Sequence, residues 1–156
     1  GSYFSGLEYP GRFIIGGQFK NGQEVLLAYG LTGRSPASQA RRLAKKDNGI
    51  WVEPTDPNLI LSGKPDLLIY PAMLYSPAGL AVSNGKQTNE ILGALETLKD
   101  PILALARTLK DWKYEPDDPI YTPRISLAYN GGFSLAMSII KGENSGRLSE
   151  TILSCL

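Results

Sequence analysis

The clearest structural signal in the chain is ISLAYNGGFSLAMSI, residues 125–139. Apolar side chains alternate with small or polar ones on both sides of Asn130-Gly131-Gly132, and a period of two is typical of a β-strand with one buried face. Asn-Gly favours the tight turns of hairpins, because both central positions of such a turn need a positive φ. The stretch therefore predicts two antiparallel strands joined by a short turn.

A second hairpin is predicted near the N-terminus. Arg12–Phe19 alternates and runs into Asn21-Gly22, and Gln23–Leu31 returns from that turn. The residues predicted on the buried face of the first strand are Phe13, Ile15 and Phe19. The returning strand is apolar at every second position and also at Leu26, which suggests that both of its faces are covered.

The segments that follow mix short strands with loops. Thr32–Asn48 is basic and contains Gly33 and Pro36, which break regular structure, so it is predicted to be an exposed loop. The tail after Lys141 shows no clear period. Three short strands are predicted, at Ile50–Glu53, Leu67–Tyr70 and Leu80–Ser83.

A helical block occupies the middle of the chain. From Ile91 to Trp112 apolar residues recur every three or four positions, which is the stripe of an amphipathic helix or helix pair. Thr88 is the predicted N-cap, and Asp100-Pro101 marks a junction, because proline suits the first position of a new helix. Strands on both sides of this block, joined by hairpin turns, predict an α+β class with stacked antiparallel sheets flanked by helices.

Composition limits the possible chemistry. The net charge is +1 and histidine is absent, which argues against a bulk nucleic-acid binder and excludes Ser-His-Asp and Cys-His catalysis and histidine-ligated metals. Cys155 is the only cysteine, so one chain can hold neither a disulfide nor a cysteine-based zinc site. Proton transfer would have to use Asp, Glu, Lys, Tyr or water.

Two polar segments are candidates for a binding site. Gly33-Arg34-Ser35 combines a guanidinium, a hydroxyl and free backbone amides, which suits a phosphate, although a solvated surface loop has the same pattern. Ser83-Asn84-Gly85-Lys86-Gln87-Thr88 lies between a strand and a helix start. Helix N-termini favour anions, and amide side chains can hydrogen-bond to a purine edge. A helix cap with a tight turn would explain the same residues.

Further candidates are weaker. Tyr121-Thr122-Pro123-Arg124-Ile125 leads into a strand and would place its arginine at the strand end. Tyr70 closes the predicted buried strand and suits the core as well as a site. Glu115 and Asp117-Asp118 form an acidic cluster that is either solvated or a weak magnesium candidate.

Taken in order, several of these segments resemble the archaeal-type inosine monophosphate (IMP) cyclohydrolase family and its bacterial relatives. The similarity runs from about Tyr9 to about Lys141. The segments that carry it are Tyr9-Pro10-Gly11-Arg12, Gly33-Arg34-Ser35, Tyr70, Ser83-Asn84-Gly85-Lys86-Gln87-Thr88 and Tyr121-Thr122-Pro123-Arg124-Ile125.

The resemblance implies a single domain over residues 1–156 with a four-layer αββα fold similar to that of N-terminal-nucleophile hydrolases. It implies ring closure of 5-formamidoimidazole-4-carboxamide ribotide to IMP with loss of water. Tyr70 would transfer protons, and Arg34, with Arg12 or Arg124, would hold the 5'-phosphate or a developing oxyanion. Ser35 would assist at the phosphate. The side chains expected to orient the carboxamide are Asn84, Gln87 and Thr88.

The resemblance requires no metal or other cofactor. It implies a cytoplasmic protein that binds a small purine nucleotide, with neither nucleic acid nor membrane as a partner. Family members are generally longer, so C-terminal strands are expected to be missing, and a homo-oligomer would be one way to cover the open sheet edge. Two alternatives remain, a non-catalytic purine-nucleotide-binding protein and a different amide-processing enzyme on the same scaffold.

Overall fold

The computed structural model describes residues 11–20, 24–56, 58, 68–132, 134–142 and 148–155, the last range by its backbone alone. These residues form antiparallel sheets and a few helices. The strands are β1 (Arg12–Gln18), β2 (Val25–Leu31), β3 (Arg41–Lys46), β4 (Gly49–Pro54), β5 (Tyr70–Ser76), β6 (Gly79–Ser83), β7 (Arg124–Tyr129), β8 (Leu135–Gly142) and β9 (Leu148–Cys155). The helices are α1 (Pro36–Gln39), α2 (Gln87–Leu98) and α3 (Pro101–Leu109).

One large sheet contains β3 to β9 in chain order, each strand antiparallel to the next. The hairpin predicted around residues 130–132 is confirmed, and it forms β7 and β8. The chain after Lys141, for which the sequence pattern predicts no element, contributes β9 at the edge of the sheet.

The helices pack on one face of this sheet. Neighbouring strands place Ala81, Ala128 and Ala136 in one row on that face, and their small side chains let α2 and α3 approach closely. The apolar side chains that cover the row include Ile91, Leu92, Leu105 and Leu109. Complete burial of such a side chain contributes about 1.5–3 kcal/mol, so this layer is a major source of stability.

β1 and β2 form a separate two-stranded sheet on the opposite face of the large sheet. Ile14 and Leu27 pack against Leu127 and Leu135 there. Gly16 permits this contact, because an added Cβ would lie only 2.9 Å from Leu135 Cδ1.

The buried face predicted for β1 is therefore wrong. Ile15 and Phe19 are 47% and 52% exposed, and Ile14 and Gly16 face the core instead. Gly16 carries no apolar side chain, so the buried face of β1 shows fewer apolar residues in the sequence than the exposed face does. Leu26 is also 54% exposed, so the described residues do not cover both faces of β2. The turn residues 21–23 lie outside the described part of the chain.

Thr32–Asn48 is not a loop, because it contains α1 and β3. Pro36 occupies the first turn of α1, where its missing N–H is tolerated, and Ser35 caps the helix. The basic residues of β3 suit the edge strand of a sheet, where charge discourages pairing with another chain.

The strand predicted at Leu67–Tyr70 is displaced, since β5 begins at Tyr70 and continues through Pro71. Pro71 lies opposite Trp51 beside an irregularity in the β4–β5 pairing, and pairing with β6 begins only at Met73. The missing amide hydrogen therefore breaks no regular ladder.

The helical block is confirmed as two helices that meet at Asp100-Pro101, with Asp100 as the N-cap of α3. Thr88 is not the N-cap of α2, because Lys86 occupies that position and Thr88 lies within the first turn. In the described part of the chain no helix is long and apolar enough to cross a membrane.

Candidate active site

A cavity of about 340 Å³ opens on the small-sheet side of the large sheet, near the start of β1 and of β7. Arg12, Arg34 and Asn84 supply its main polar wall. The apolar lining residues are Ile120, Pro123, Ile125 and Ile139. A cavity lined by two arginines and by apolar side chains suits an anion attached to a flat ring.

Glu115 compensates the charge of Arg12. Both side chains are largely buried, and Arg12 Nη1 donates a hydrogen bond to Glu115 Oε1. Burial raises the pKa of Glu115 above its usual value of 4.5, and the Arg12 guanidinium opposes this shift only in part. Among the described residues Glu115 Oε2 has no hydrogen-bond partner. A buried carboxylate with a raised pKa and a free oxygen can accept a proton. Glu115 is almost fully buried and is not among the residues that line the cavity, so it acts on the cavity through Arg12 and Asn84.

Asn84 is held rigidly in the cavity wall. Its Oδ1 accepts hydrogen bonds from the Ile125 amide at 3.0 Å and from Gln87 Nε2 at 3.3 Å. Its Nδ2 donates to the Pro123 carbonyl at 2.8 Å and to Glu115 Oε1 at 3.4 Å. These four bonds use the full capacity of the amide, so Asn84 fixes the position of Glu115 and of the Pro123–Ile125 segment.

Gln87, Thr88 and Arg124 lie behind this wall and do not line the cavity. Arg124 begins β7 as predicted, but its side chain points towards the helices, where its guanidinium lies 4.7 Å from the Trp112 ring centroid. Arg124 Nη1 donates to Gln87 Oε1 at 3.1 Å. The Thr88 hydroxyl donates to the Gly85 carbonyl at 3.0 Å. The three side chains thus form a buried layer that supports Asn84.

The turn after β2 brings Arg34 to the cavity. Ser35 is occupied as the cap of α1, where its Oγ accepts a hydrogen bond from the Ser38 amide at 3.2 Å. Gly33 makes the turn possible, because an added Cβ would lie 2.3 Å from the Ser38 carbonyl carbon. The segment Gly33-Arg34-Ser35 thus supplies one cavity side chain, that of Arg34, and the turn and helix cap that position it.

Tyr70 is buried behind Arg12, where its hydroxyl lies 2.7 Å from the Tyr29 hydroxyl. Burial raises the pKa of Tyr70, while Arg12 and the Tyr29 hydrogen bond oppose that rise. The structure therefore places Tyr70 beside the charged cluster without exposing it to the cavity.

Of the residues that the sequence nominates, the cavity brings together Arg12, Arg34 and Asn84. Sequence reasoning named Glu115 only as part of an acidic cluster, solvated or weakly suited to magnesium, and it missed Tyr29. Glu115 belongs to a proline-rich acidic stretch that has the composition of a solvated loop, and Tyr29 fits the apolar alternation of β2. The one hint of a buried acid was a pair of arginines at strand ends, which need a charge partner when buried, in a chain that has no histidine.

The acidic cluster does not act as a unit. Asp117 accepts hydrogen bonds from the amide and hydroxyl of Thr122, and Asp118 accepts one from the Tyr121 hydroxyl. Within the described ranges no group of three or more acidic or cysteine side chains is arranged to hold a metal ion.

A family model described as IMP cyclohydrolase-like protein matches residues 9–152. The chain belongs to this family. The matched region contains every side chain of the candidate site, from Arg12 to Ile139, so membership in the IMP cyclohydrolase-like family applies to the part of the molecule that forms the cavity.

Two curated members of this IMP cyclohydrolase-like family illustrate the similarity. The proteins named IMP cyclohydrolase from Methanothrix thermoacetophila and Methanopyrus kandleri are each 32% identical to the chain over 123 residues, or 79% of its length. The aligned region spans 58% of the first relative and 59% of the second. The chain therefore covers somewhat less than three fifths of the length of these relatives.

Proposed function

We propose that this domain is an IMP cyclohydrolase, which closes the ring of 5-formamidoimidazole-4-carboxamide ribotide and releases water. The observation that carries the proposal is the cavity, which Arg12, Arg34 and several apolar side chains line inside the region matched by the family. Two relatives named IMP cyclohydrolase support the choice of reaction.

Charge and shape suggest how the substrate binds. Arg34 is exposed at the cavity and suits the 5'-phosphate, because a guanidinium pairs with phosphate oxygens through two hydrogen bonds. Arg12 is buried deeper and suits the oxygen of the formyl group, on which negative charge develops. Ile120 and Ile125 would contact the flat heterocycle.

The reaction needs little beyond orientation and proton transfer. The carboxamide nitrogen attacks the formyl carbon and loses one proton, and the formyl oxygen is protonated to a hydroxyl. The adduct then loses this hydroxyl and the proton of the formamido nitrogen as water, which forms the ring C=N bond. Glu115, with its raised pKa and free Oε2, suits the role of proton acceptor. Tyr70 remains a proton-transfer candidate, which would act through the charged cluster around Arg12.

The supporting layer has a separate role in this proposal. Asn84 holds Glu115 and the Pro123–Ile125 segment. Gln87 donates to Asn84 and accepts from Arg124, while Thr88 hydrogen-bonds to the adjacent Gly85 carbonyl. These side chains would fix the cavity wall and leave substrate contact to the arginines. No step in this scheme calls for a metal or another cofactor.

We also propose that the fold, a single domain over residues 1–156, supplies three layers of a four-layer αββα arrangement, namely the helices, the large sheet and the small sheet. Ile15 and Leu26 leave an apolar outer face on the small sheet, and a helical layer there would bury them. A second subunit could cover the same face or the open sheet edges. The cytoplasm remains the expected location.

A thermal-shift titration with IMP and AMP, together with a spectroscopic assay of the formamido ribotide, tests the proposal. Stabilisation by IMP with turnover would support a cyclohydrolase. Stabilisation without turnover would favour a nucleotide-binding relative, an alternative that the length difference from the curated relatives keeps open. If folded protein shows neither stabilisation nor turnover, both the cyclohydrolase and the nucleotide-binding alternative are contradicted.

A further inference from the structure

The side chain of Arg41 closes the segment 32–38, which carries Arg34 and is called the Arg34 turn below. Arg41 begins β3, and its Nε donates a hydrogen bond to the Ser38 carbonyl at 2.7 Å. Its Nη2 donates to the Thr32 carbonyl at 3.2 Å. The two carbonyls lie on either side of Arg34 in the sequence, so one guanidinium bridges both ends of the turn.

The Arg34 turn depends on contacts that hold its two ends together. α1 is only four residues long, and so short a helix is unstable by itself in water. Gly33 packs directly against the Ser38 backbone, so the turn is folded back on itself. The planar guanidinium of Arg41 ties both ends to β3 and hence to the large sheet, because its donors have a fixed geometry.

Thr32 connects this turn to the other arginine of the cavity. Its amide and its hydroxyl both donate to the Gly11 carbonyl, at 2.9 and 3.0 Å. Gly11 directly precedes Arg12, and both residues line the cavity. Arg41 thus holds Thr32, which in turn holds the segment leading into β1. The relative placement of the two cavity arginines therefore depends on this chain of hydrogen bonds.

Arg41 contacts the turn and is not among the residues that line the cavity. A lysine at this position would carry the same charge but would lack the planar fork that reaches two carbonyls in a fixed geometry. The effect of Arg41 on the site should therefore depend on the shape of its guanidinium and not on its charge alone.

We propose that Arg41 is a positioning residue that fixes the Arg34 turn and thereby places the Arg34 guanidinium at the cavity. Binding of the 5'-phosphate by Arg34 rests on the proposed function. Closure of the turn by Arg41 rests on the hydrogen bonds described above and can be measured without nucleotide. Arg41 is then needed for tight substrate binding and not for the chemical step.

The test compares Arg41→Lys with Arg42→Lys in the full chain. Arg42 is the next residue of β3, and its exposed side chain donates two hydrogen bonds to Glu53 Oε1, at 2.9 and 2.8 Å. The two variants undergo the same chemical change on the same strand, but only the first loses a guanidinium that bridges the Arg34 turn. Circular dichroism checks that both are folded.

Hydrogen exchange of the amides of residues 38–40 measures closure of the turn. These amides make the capping and backbone hydrogen bonds of α1. Their exchange should be about tenfold faster in Arg41→Lys, the effect expected when opening no longer costs a hydrogen bond, and unchanged in Arg42→Lys. Unchanged exchange in Arg41→Lys would overturn the inference.

Calorimetric titration with IMP measures the effect on the cavity. Arg41→Lys should weaken IMP binding about tenfold, which corresponds to the loss of one charge-assisted hydrogen bond between Arg34 and the phosphate. In an Arg34→Ala background the same substitution should cause no further loss, because a positioning residue acts only through the residue that it positions. Losses that multiply in the double variant would overturn the inference, since Arg41 would then act independently of Arg34.

Kinetics separate a positioning role from a general loss of structure. Arg41→Lys should raise KM for the formamido ribotide about tenfold and leave kcat unchanged, because the phosphate is remote from the reacting atoms. A lowered kcat with unchanged KM would contradict the inference. IMP binding without turnover in the unmodified protein would count against the proposed function alone, and the exchange and titration experiments would still decide the role of Arg41.

Discussion

Glu115 compensates the charge of Arg12, which lines the cavity. It forms an ion pair with the largely buried Arg12, whereas Arg34 is an exposed residue at the cavity. Removing one member of a buried pair leaves an uncompensated charge, which is why both residues are expected to be needed together. The two arginines should therefore respond differently to substitution.

Arg34→Ala should weaken IMP binding about 10- to 100-fold, because a guanidinium–phosphate pair contributes a strong charge-assisted hydrogen bond. Calorimetric titration measures the change. The matched control is Arg107→Ala on α3, which removes a cation far from the cavity and should leave the affinity unaltered. Equal affinity in Arg34→Ala and the unmodified protein would remove Arg34 from the site.

Glu115→Gln should abolish the acidic limb of the pH profile of kcat/KM. If Glu115 accepts a proton, activity falls as pH falls through its pKa, which lies above the usual 4.5 because burial disfavours the charged form. Because the substitution leaves the largely buried Arg12 charge uncompensated, we expect it to lower stability, and circular dichroism and IMP titration check that the variant is folded and binds nucleotide. Glu96→Gln on the exposed side of α2 is the control, and an acidic limb that persists in Glu115→Gln would exclude this role.

At the scale of elements, sequence reasoning worked where the signal is local. The β7–β8 hairpin and the junction of α2 with α3 follow from Asn130-Gly131 and Asp100-Pro101, and both are confirmed. β3 was missed, because its basic residues look like those of an exposed loop. They form an edge strand through pairing with β4, which the local sequence of β3 does not reveal. Glu115 was missed for a similar reason, since its partner Arg12 is far away in the chain.

The turn between β2 and α1 is the element on which the position of Arg34 depends. Gly33→Ala should cost about 1–3 kcal/mol of stability, because the new methyl group would meet the backbone of Ser38. It should also weaken IMP binding, since the clash displaces the adjacent arginine. Denaturant unfolding and nucleotide titration measure the two effects.

Gly93→Ala provides the opposite expectation in the same assay. An added Cβ at Gly93 meets nothing within 4 Å, and the residue is exposed in α2, so alanine should stabilise the protein by about 0.5–1 kcal/mol. If Gly33→Ala changes neither the stability nor the IMP affinity, the turn between β2 and α1 adapts without moving Arg34.

At the scale of the whole molecule, the cavity exists because two sheets of unequal size are stacked. The small sheet brings Arg12 to the large sheet, which supplies Ile125 and Ile139. Strands with apolar residues on both faces suggested the stacking. The pattern could not fix which face of β1 is buried, because Gly16 contributes no apolar side chain to that face. Only the approach of Leu127 and Leu135 resolves that choice.

Gly16→Val should separate the sheets and lower the free energy of unfolding by about 1–3 kcal/mol, because its side chain would overlap Leu135 and Leu127. Gly17→Val is the matched control, since an added Cβ there meets nothing within 4 Å. Denaturant unfolding compares the two variants. Equal stability would contradict the close stacking at Gly16.

The Arg12–Glu115 pair also has a consequence for the order in which the molecule acquires its site. The two residues are 103 positions apart, so a growing chain that already contains Arg12, Arg34 and Asn84 still lacks the acid and the apolar wall. Contacts over such separations form late, because the intervening chain must first be ordered. Nucleotide affinity should therefore appear only when synthesis has passed β8, which makes ligand binding a reporter of completed folding.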